Sequence, residues 1–477
     1  MKNLVKRALS LLFLLTFTLP LLACSDNEEY TEYGNLTLRI CNWEDYIAED
    51  DDGVAMWQEF ESWYEQKHGV DITVEYSTFG TPEILYNNLK INPGCYDLIC
   101  PSDYMIQKMI EEGMLDTFDI VTQIPNYDTY ASGYLKNLFE EKGWTSYALP
   151  YMWGTMGFIY NPEEVPDEDA FSWACAVDDK YFNKTTIKDS VRDTYFLGVA
   201  LARLDYLSEL NEKYTSSAIT KAEYQATLAA TFNDTSEEMV NSVEQVLKKA
   251  KQNAFSIEVD SGKDDMVTGK VHLNFAWSGD AVYAMDEAEE SGLILNYAVP
   301  KEGSNIWFDG WCMPKGANTK LACAFLDYIS DPEKAWENME YIGYTSAIAG
   351  DYVFDRVLET YDVGADAEGA EEVDLSYYFD NISRPATLYV DERNRQFDAQ
   401  YPNESITTRC TIMDRFTPEQ DKRINDMWNR VKAGEIGLYL IVIGSTAGVF
   451  LIAALIVILY KKDVFVARPP KGYKRIA

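Results

Sequence analysis

The chain has 477 residues and a formal charge of −37, from 41 Lys and Arg against 78 Asp and Glu. With 47% hydrophobic and 25% charged residues it has a globular composition and enough length for two domains, and its acidity repels nucleic acid and anionic headgroups while drawing cations. Its only histidines, His68 and His272, leave little for His-based metal sites or catalytic triads, so neither metal nor cofactor is expected.

Residues 1–23 read as an export signal: Lys2, Lys6 and Arg7 precede an uncharged run from Ala8 to Ala23. Leu21-Leu22-Ala23-Cys24 resembles a bacterial lipobox, which makes Cys24 the expected lipidation site and 24–35 a polar tether. The other seven cysteines contain no C-x-x-C and are odd in number, so buried free thiols are expected rather than a disulfide framework. From Leu36 strands and helices alternate. Leu36, Leu38 and Ile40 mark a strand that runs into Asn42-Trp43-Glu44-Asp45-Tyr46. Val54–Lys67 has a helical stripe of Trp57, Phe60 and Tyr64, Asp71–Tyr76 is a second strand, and Thr81-Pro82 caps a second helix. Tyr96–Cys100 is a third strand, ending in Pro101-Ser102-Asp103-Tyr104. Such alternation predicts a parallel α/β sheet with ligands beyond the carboxyl ends of its strands.

Tyr147–Asn161 is apolar and aromatic, as a strand passing between two lobes would be. A second α/β segment follows: a strand near Thr186, then Asp189 to Asp193 opening a helix. Later comes Val271–Phe275, leading into Trp277-Ser278-Gly279-Asp280. Residues 359–375, rich in Glu, Asp, Gly and Ala, read as a loop insertion without a core of its own. Residues 436–460 carry no charged side chain and are followed by Lys461-Lys462. That predicts a transmembrane helix, with the basic tail 461–477 in the cytoplasm and the main body outside.

The chemistry centres on Ile306-Trp307-Phe308-Asp309-Gly310-Trp311. In a strand, Trp307 and Asp309 share a face, and a π-face beside a carboxylate suits an organic ammonium. For an isolated Trp-x-Asp the plainer reading, a core indole and a turn-capping carboxylate, is favoured, so the rest of the chain has to decide.

With these pieces in order, the chain resembles the extracytoplasmic spermidine/putrescine-binding proteins of bacterial ABC polyamine importers, from about Leu36 to Ala433. The resemblance rests on Asn-Trp-x-x-Tyr-Ile at 42–47, Pro-Ser-x-Tyr at 101–104, Pro-Tyr-x-Trp-Gly at 150–154, Asp-x-x-Arg-Asp at 189–193, Trp-Ser-Gly-Asp at 277–280, Trp-x-Asp at 307–309 and Ile-Gly-Tyr at 342–344. It implies a two-lobe, periplasmic-binding-protein-like (type II) α/β fold that closes over its ligand by a hinge. Lobe 1 is then 36–155 with 306–350, and lobe 2 is 156–305 with 351–433. It further implies an aromatic box of Trp43, Tyr46, Tyr104, Trp277, Trp307 and Tyr344, with Asp309 on one ammonium, Asp193 or Asp189 at the other end, and Ser102 as a polar contact. Asp280 resembles putrescine-preferring members and Asp193 spermidine-preferring ones, so selectivity stays open. The implied partners are a polyamine, the ABC permease and ATPase subunits, and the membrane through the lipid anchor and added helix. A ligand-sensing ectodomain and a receptor for another organic cation are the alternatives. No G-x-S-x-G in the exported body, P-loop or H-E-x-x-H supports an enzyme.

Overall fold

The computed structural model describes residues 36–433. The expected signal peptide 1–23, the tether 24–35 with Cys24, the transmembrane helix 436–460 and the tail 461–477 lie outside the described residues. Among the described residues no helix is long and apolar enough to cross a membrane.

The strands are β1 (Thr37–Trp43), β2 (Thr73–Phe79), β3 (Leu98–Ile99), β4 (Ala148–Tyr160), β5 (Thr185–Lys188), β6 (Ser256–Glu258), β7 (Leu273–Trp277), β8 (Asn296–Ala298), β9 (Ser304–Cys312), β10 (Thr345–Ser346), β11 (Glu371–Asp374), β12 (Thr387–Val390) and β13 (Cys410–Thr411). The main sheet runs β2-β1-β3-β9-β4-β7-β5-β6, with β8 and β10 also on β4 and β13 on β9. The expectation of a parallel sheet needs correction. β1, β2 and β3 are mutually parallel, as are β5, β6 and β7, but β4 and β9 run antiparallel through the middle. Helical crossovers impose parallel pairing only where they join neighbouring strands; β4 does not pair with β3, which precedes it across several helices, and β9 follows β8 by a short loop with no crossover helix.

Every residue of β4 and β9 is buried, the pattern of strands covered on both faces. Each changes partner along its length. Ala148–Thr155 of β4 pairs with β9, whereas Met156–Tyr160 pairs with β7 and β8; Ser304–Asn305 of β9 pairs with β13, whereas Ile306–Cys312 pairs with β4. The two halves of the sheet are therefore joined through single strands, at Thr155/Met156 and at Asn305/Ile306.

Residues 351–401 touch both halves. Ser132 Oγ donates to the Tyr378 carbonyl at 2.6 Å and the Gly133 N–H to Asp380 at 2.8 Å, while Gln396 Nε2 donates to Asp286 at 2.8 Å and Arg395 Nε to the Leu295 carbonyl at 3.1 Å. The acidic stretch 359–375 is not wholly a loop either. Its end forms the antiparallel ribbon β11–β12, closed by Leu375 and Leu388, both buried, so two apolar side chains anchor what composition alone reads as solvated. The helix Pro418–Ala433 buries Ile424, Met427, Trp428 and Val431 and packs on the helix Glu237–Asn253, with Arg430 Nη2 at 2.7 Å from Glu244. The seven cysteines of the described residues are all free thiols, six buried and Cys95 half-buried.

Candidate ligand-binding site

The strand pairing brings the sequence motifs to the junction of the halves. Trp307 of β9 lies opposite Gly154 of β4, and Asp309 opposite Met152. Ser102, which precedes the helix Asp103–Glu111, bridges to Asp309 through the backbone. Asp309 is 6% exposed and accepts two hydroxyl hydrogen bonds, from Ser102 Oγ at 2.7 Å and from Tyr46 Oη at 2.9 Å. Burial pushes its carboxyl up to about 7; the two hydroxyls oppose that shift and the nearby Asp193 adds to it. A carboxyl buried among neutral donors is stabilised as an anion by any ammonium that reaches it.

An aromatic corner continues from there. The Tyr46 and Tyr344 rings are 5.3 Å apart at 79°, Trp307 lies 5.4 Å from Tyr344 at 64°, and Tyr46 also meets Tyr151 edge-on at 5.5 Å. Tyr151, Tyr46, Tyr344 and Trp307 thus form one continuous series of edge-to-face contacts. The corner depends on two glycines. A Cβ on Gly279 would stand 2.3 Å from the Tyr344 ring, and one on Gly154 would stand 2.7 Å from Trp307 and 2.3 Å from Ser278 Oγ.

Tyr344, just before β10 in the first half, donates to Asp280 Oδ1 at 2.8 Å, and Asp280 lies in the first turn of the helix Ser278–Glu290 in the second half. Asp280 Oδ2 faces Lys188 Nζ at 3.3 Å, and Lys188 also sits 4.5 Å from the centroid of the Trp277 ring. An unbroken series therefore runs Ser102, Asp309, Tyr46, Tyr344, Asp280, Lys188, with Trp307 and Trp277 beside it.

The other expected residues stand at the margins. Tyr104 donates to Glu83 at 3.1 Å and packs under the Arg192 guanidinium at 4.8 Å. Asp193, in the first turn of the helix Val191–Ala202 capped by Ser190, is half-buried, and burial raises its carboxyl. Trp43 packs on Phe79 with ring centroids 4.7 Å apart. Asp189 points elsewhere: it accepts from Trp428 Nε1 at 3.1 Å and pairs with Lys432 at 2.9 Å. That makes it a docking point for the helix Pro418–Ala433.

Sequence reasoning missed three charged neighbours. Lys188 and Arg192 flank or belong to the 189–193 motif but carry the charge opposite to the one sought there. Asp103 was passed over beside Ser102, although burial pushes its carboxyl up to about 8. Among the described residues no group of three or more His, Cys, Asp or Glu side chains is placed to hold a metal ion.

The model of the family described as bacterial extracellular solute-binding protein matches residues 55–351. The spermidine/putrescine-binding periplasmic protein of Salmonella typhimurium is 26% identical over 312 residues, covering 65% of this chain and 77% of that one. A putrescine-binding periplasmic protein of Pseudomonas aeruginosa is 23% identical over 404 residues, covering 84% and 93%. The solved spermidine/putrescine ABC transporter substrate-binding protein of Streptococcus pneumoniae superposes with a TM-score of 0.56 at 25% identity, covering 83% of this chain and 98% of that one. The fold is thus periplasmic-binding-protein-like, and the chain belongs to the family of bacterial extracellular solute-binding proteins, whose members bind a solute rather than transform it.

Proposed function

We propose that this chain is the substrate-binding component of an ABC-type polyamine importer, capturing its ligand between the two halves and handing it to a permease. The observation that carries the reading is Asp309: a buried carboxyl held by Ser102 and Tyr46 hydroxyls, with the Tyr46, Tyr344 and Trp307 rings beside it. Rings strip water from methylenes and carboxylates replace the water lost by nitrogens, which is what a chain of CH₂ groups ending in ammonium requires. The relatives named for spermidine and putrescine binding support the same ligand class.

In this reading Tyr46, Ser102, Trp307, Asp309 and Tyr344 hold one ammonium end. Trp277 and Asp280 stand towards the other end, and Trp43, Tyr104 and Asp193 line the approach. Residues 36–155 with 306–350 form one lobe and the remainder of the body the other, hinged where β4 and β9 change partners. The uncharged run 436–460 and the lipobox-like Cys24 hold the body at the outer face of the cell membrane, which keeps it near its permease at high effective concentration.

Calorimetric titration of the purified chain with putrescine and spermidine, with lysine and iron(III) as controls, tests this. Saturable binding of a polyamine but of neither control is expected. Heat with lysine alone would turn the assignment to another organic cation.

A further inference from the structure

The second half brings an ammonium of its own to the site. Lys188 ends β5 in register with Glu258 on parallel β6, and it is 1% exposed. Its Nζ donates to the Val259 carbonyl at 2.8 Å and lies 3.3 Å from Asp280 Oδ2 and 3.5 Å from Glu258 Oε1. Of the three N–H donors of the ammonium, two are met by the Val259 carbonyl and Asp280, and Glu258 adds its charge at ion-pair distance. The Trp277 ring, 4.5 Å away, covers a further side, well within cation–π range. Lys263, paired with Asp260 at 2.8 Å, is close enough to feel the charge of Asp280 as well.

An aromatic face with two carboxylates and a carbonyl is the environment that would otherwise receive a ligand ammonium. Here it is filled from within. A ligand ammonium displacing Lys188 would have to replace every one of these contacts and leave the lysine's charge buried and unpaired, the costly half of breaking a buried ion pair. Asp309 is the contrast, because its hydrogen-bond partners are uncharged hydroxyls.

We infer that Lys188 is a specificity-determining residue: it occupies the Trp277–Asp280 end of the site as a resident ammonium, so that one ligand ammonium is recognised, at Asp309, and short amines are preferred to triamines. This rests on the polyamine reading. A second ligand ammonium meets a position already neutralised, so lengthening the ligand adds methylene contact but no charge pairing.

The test compares butylamine, putrescine and spermidine by titration of the full-length chain and of its Lys188→Met variant. For the unaltered chain, butylamine and putrescine are expected to bind within about threefold of one another and spermidine no more tightly than putrescine, since the second ammonium gains no partner. In Lys188→Met, Asp280 and Glu258 lose their internal cation, and the putrescine-to-butylamine affinity ratio is expected to rise by about tenfold or more. Preference of the unaltered chain for putrescine over butylamine by more than about tenfold overturns the assignment while leaving polyamine binding in place. An unchanged ratio in the variant overturns it equally. Should Lys188→Met fail to fold, Lys188→Met with Glu258→Gln keeps a single carboxylate, and the same ratio decides. If no amine binds to the unaltered chain, the polyamine reading falls and this assignment with it.

Discussion

As the proposed receiver of the ligand ammonium, Asp309 would couple ligand and proton. Its carboxyl is pushed up to about 7, above the roughly 3.9 of an unburied aspartate, so the folded chain keeps a proton there that the unfolded chain releases. Stability from this group is therefore full below about pH 4, declines as the pH rises towards 7, and is level above that, a difference of about 4 kcal/mol in all. Ligand binding runs the opposite way, because an ammonium pairs with the anion. Affinity is expected to fall by about tenfold per pH unit below 7, with one proton released on binding; titrations in buffers of differing ionisation enthalpy measure that release. Asp309→Asn should abolish the pH dependence. Asp309→Ala should lower affinity by about 2–5 kcal/mol at pH 8, as removing one partner of a buried charge pair does, and an unchanged affinity would dismiss the site. At this scale much was legible: Trp307 and Asp309 stand two apart on one strand, and strand geometry alone brings them to the same face. Lys188 was not legible. Its meaning depends on Glu258, which reaches it only through strand register, and on Asp280, which reaches it only through the packing of a helix.

The elements carry the site by close approach. β7 ends in Trp277 and turns directly into the helix Ser278–Glu290, whose second residue, Gly279, lies under the Tyr344 ring. Gly279→Ala is expected to push the ring off its Asp280 hydrogen bond, weakening polyamine binding by about tenfold or more while costing only about 1–3 kcal/mol of stability, as overpacking does. Titration alongside thermal unfolding separates the two. Strand and helix order could be read from periodicity and capping residues, as at Thr81-Pro82, because those signals are local. The antiparallel course of β4 and β9 could not, since a fully buried strand shows no alternation and so nothing in it names its neighbours.

For the whole molecule, the two halves meet through Tyr344 and Asp280, through Arg192 over Tyr104, and through the segment 351–401. The last helix belongs to the body rather than to whatever follows it: Trp428 and Ile424 are buried and Arg430 pairs with Glu244. A chain ended at Gly434 is expected to keep its polyamine affinity, whereas one ended at Thr417 should lose most of its thermal stability, because the helix Glu237–Asn253 would then expose its apolar face. Differential scanning calorimetry of the two truncated chains checks this. The division into two α/β segments was readable from element order; the bridging by 351–401 was not, because its acidic composition masks the few apolar side chains that anchor it. The free thiols, finally, provide the molecule with a built-in clock. Cys41, Cys100 and Cys312 lie in β1, after β3 and in β9 of one half, while Cys175 lies in the other. A buried thiol is alkylated only when its own surroundings open. The order in which these cysteines react with an alkylating reagent therefore ranks the local openings of each half, without any label having to be introduced.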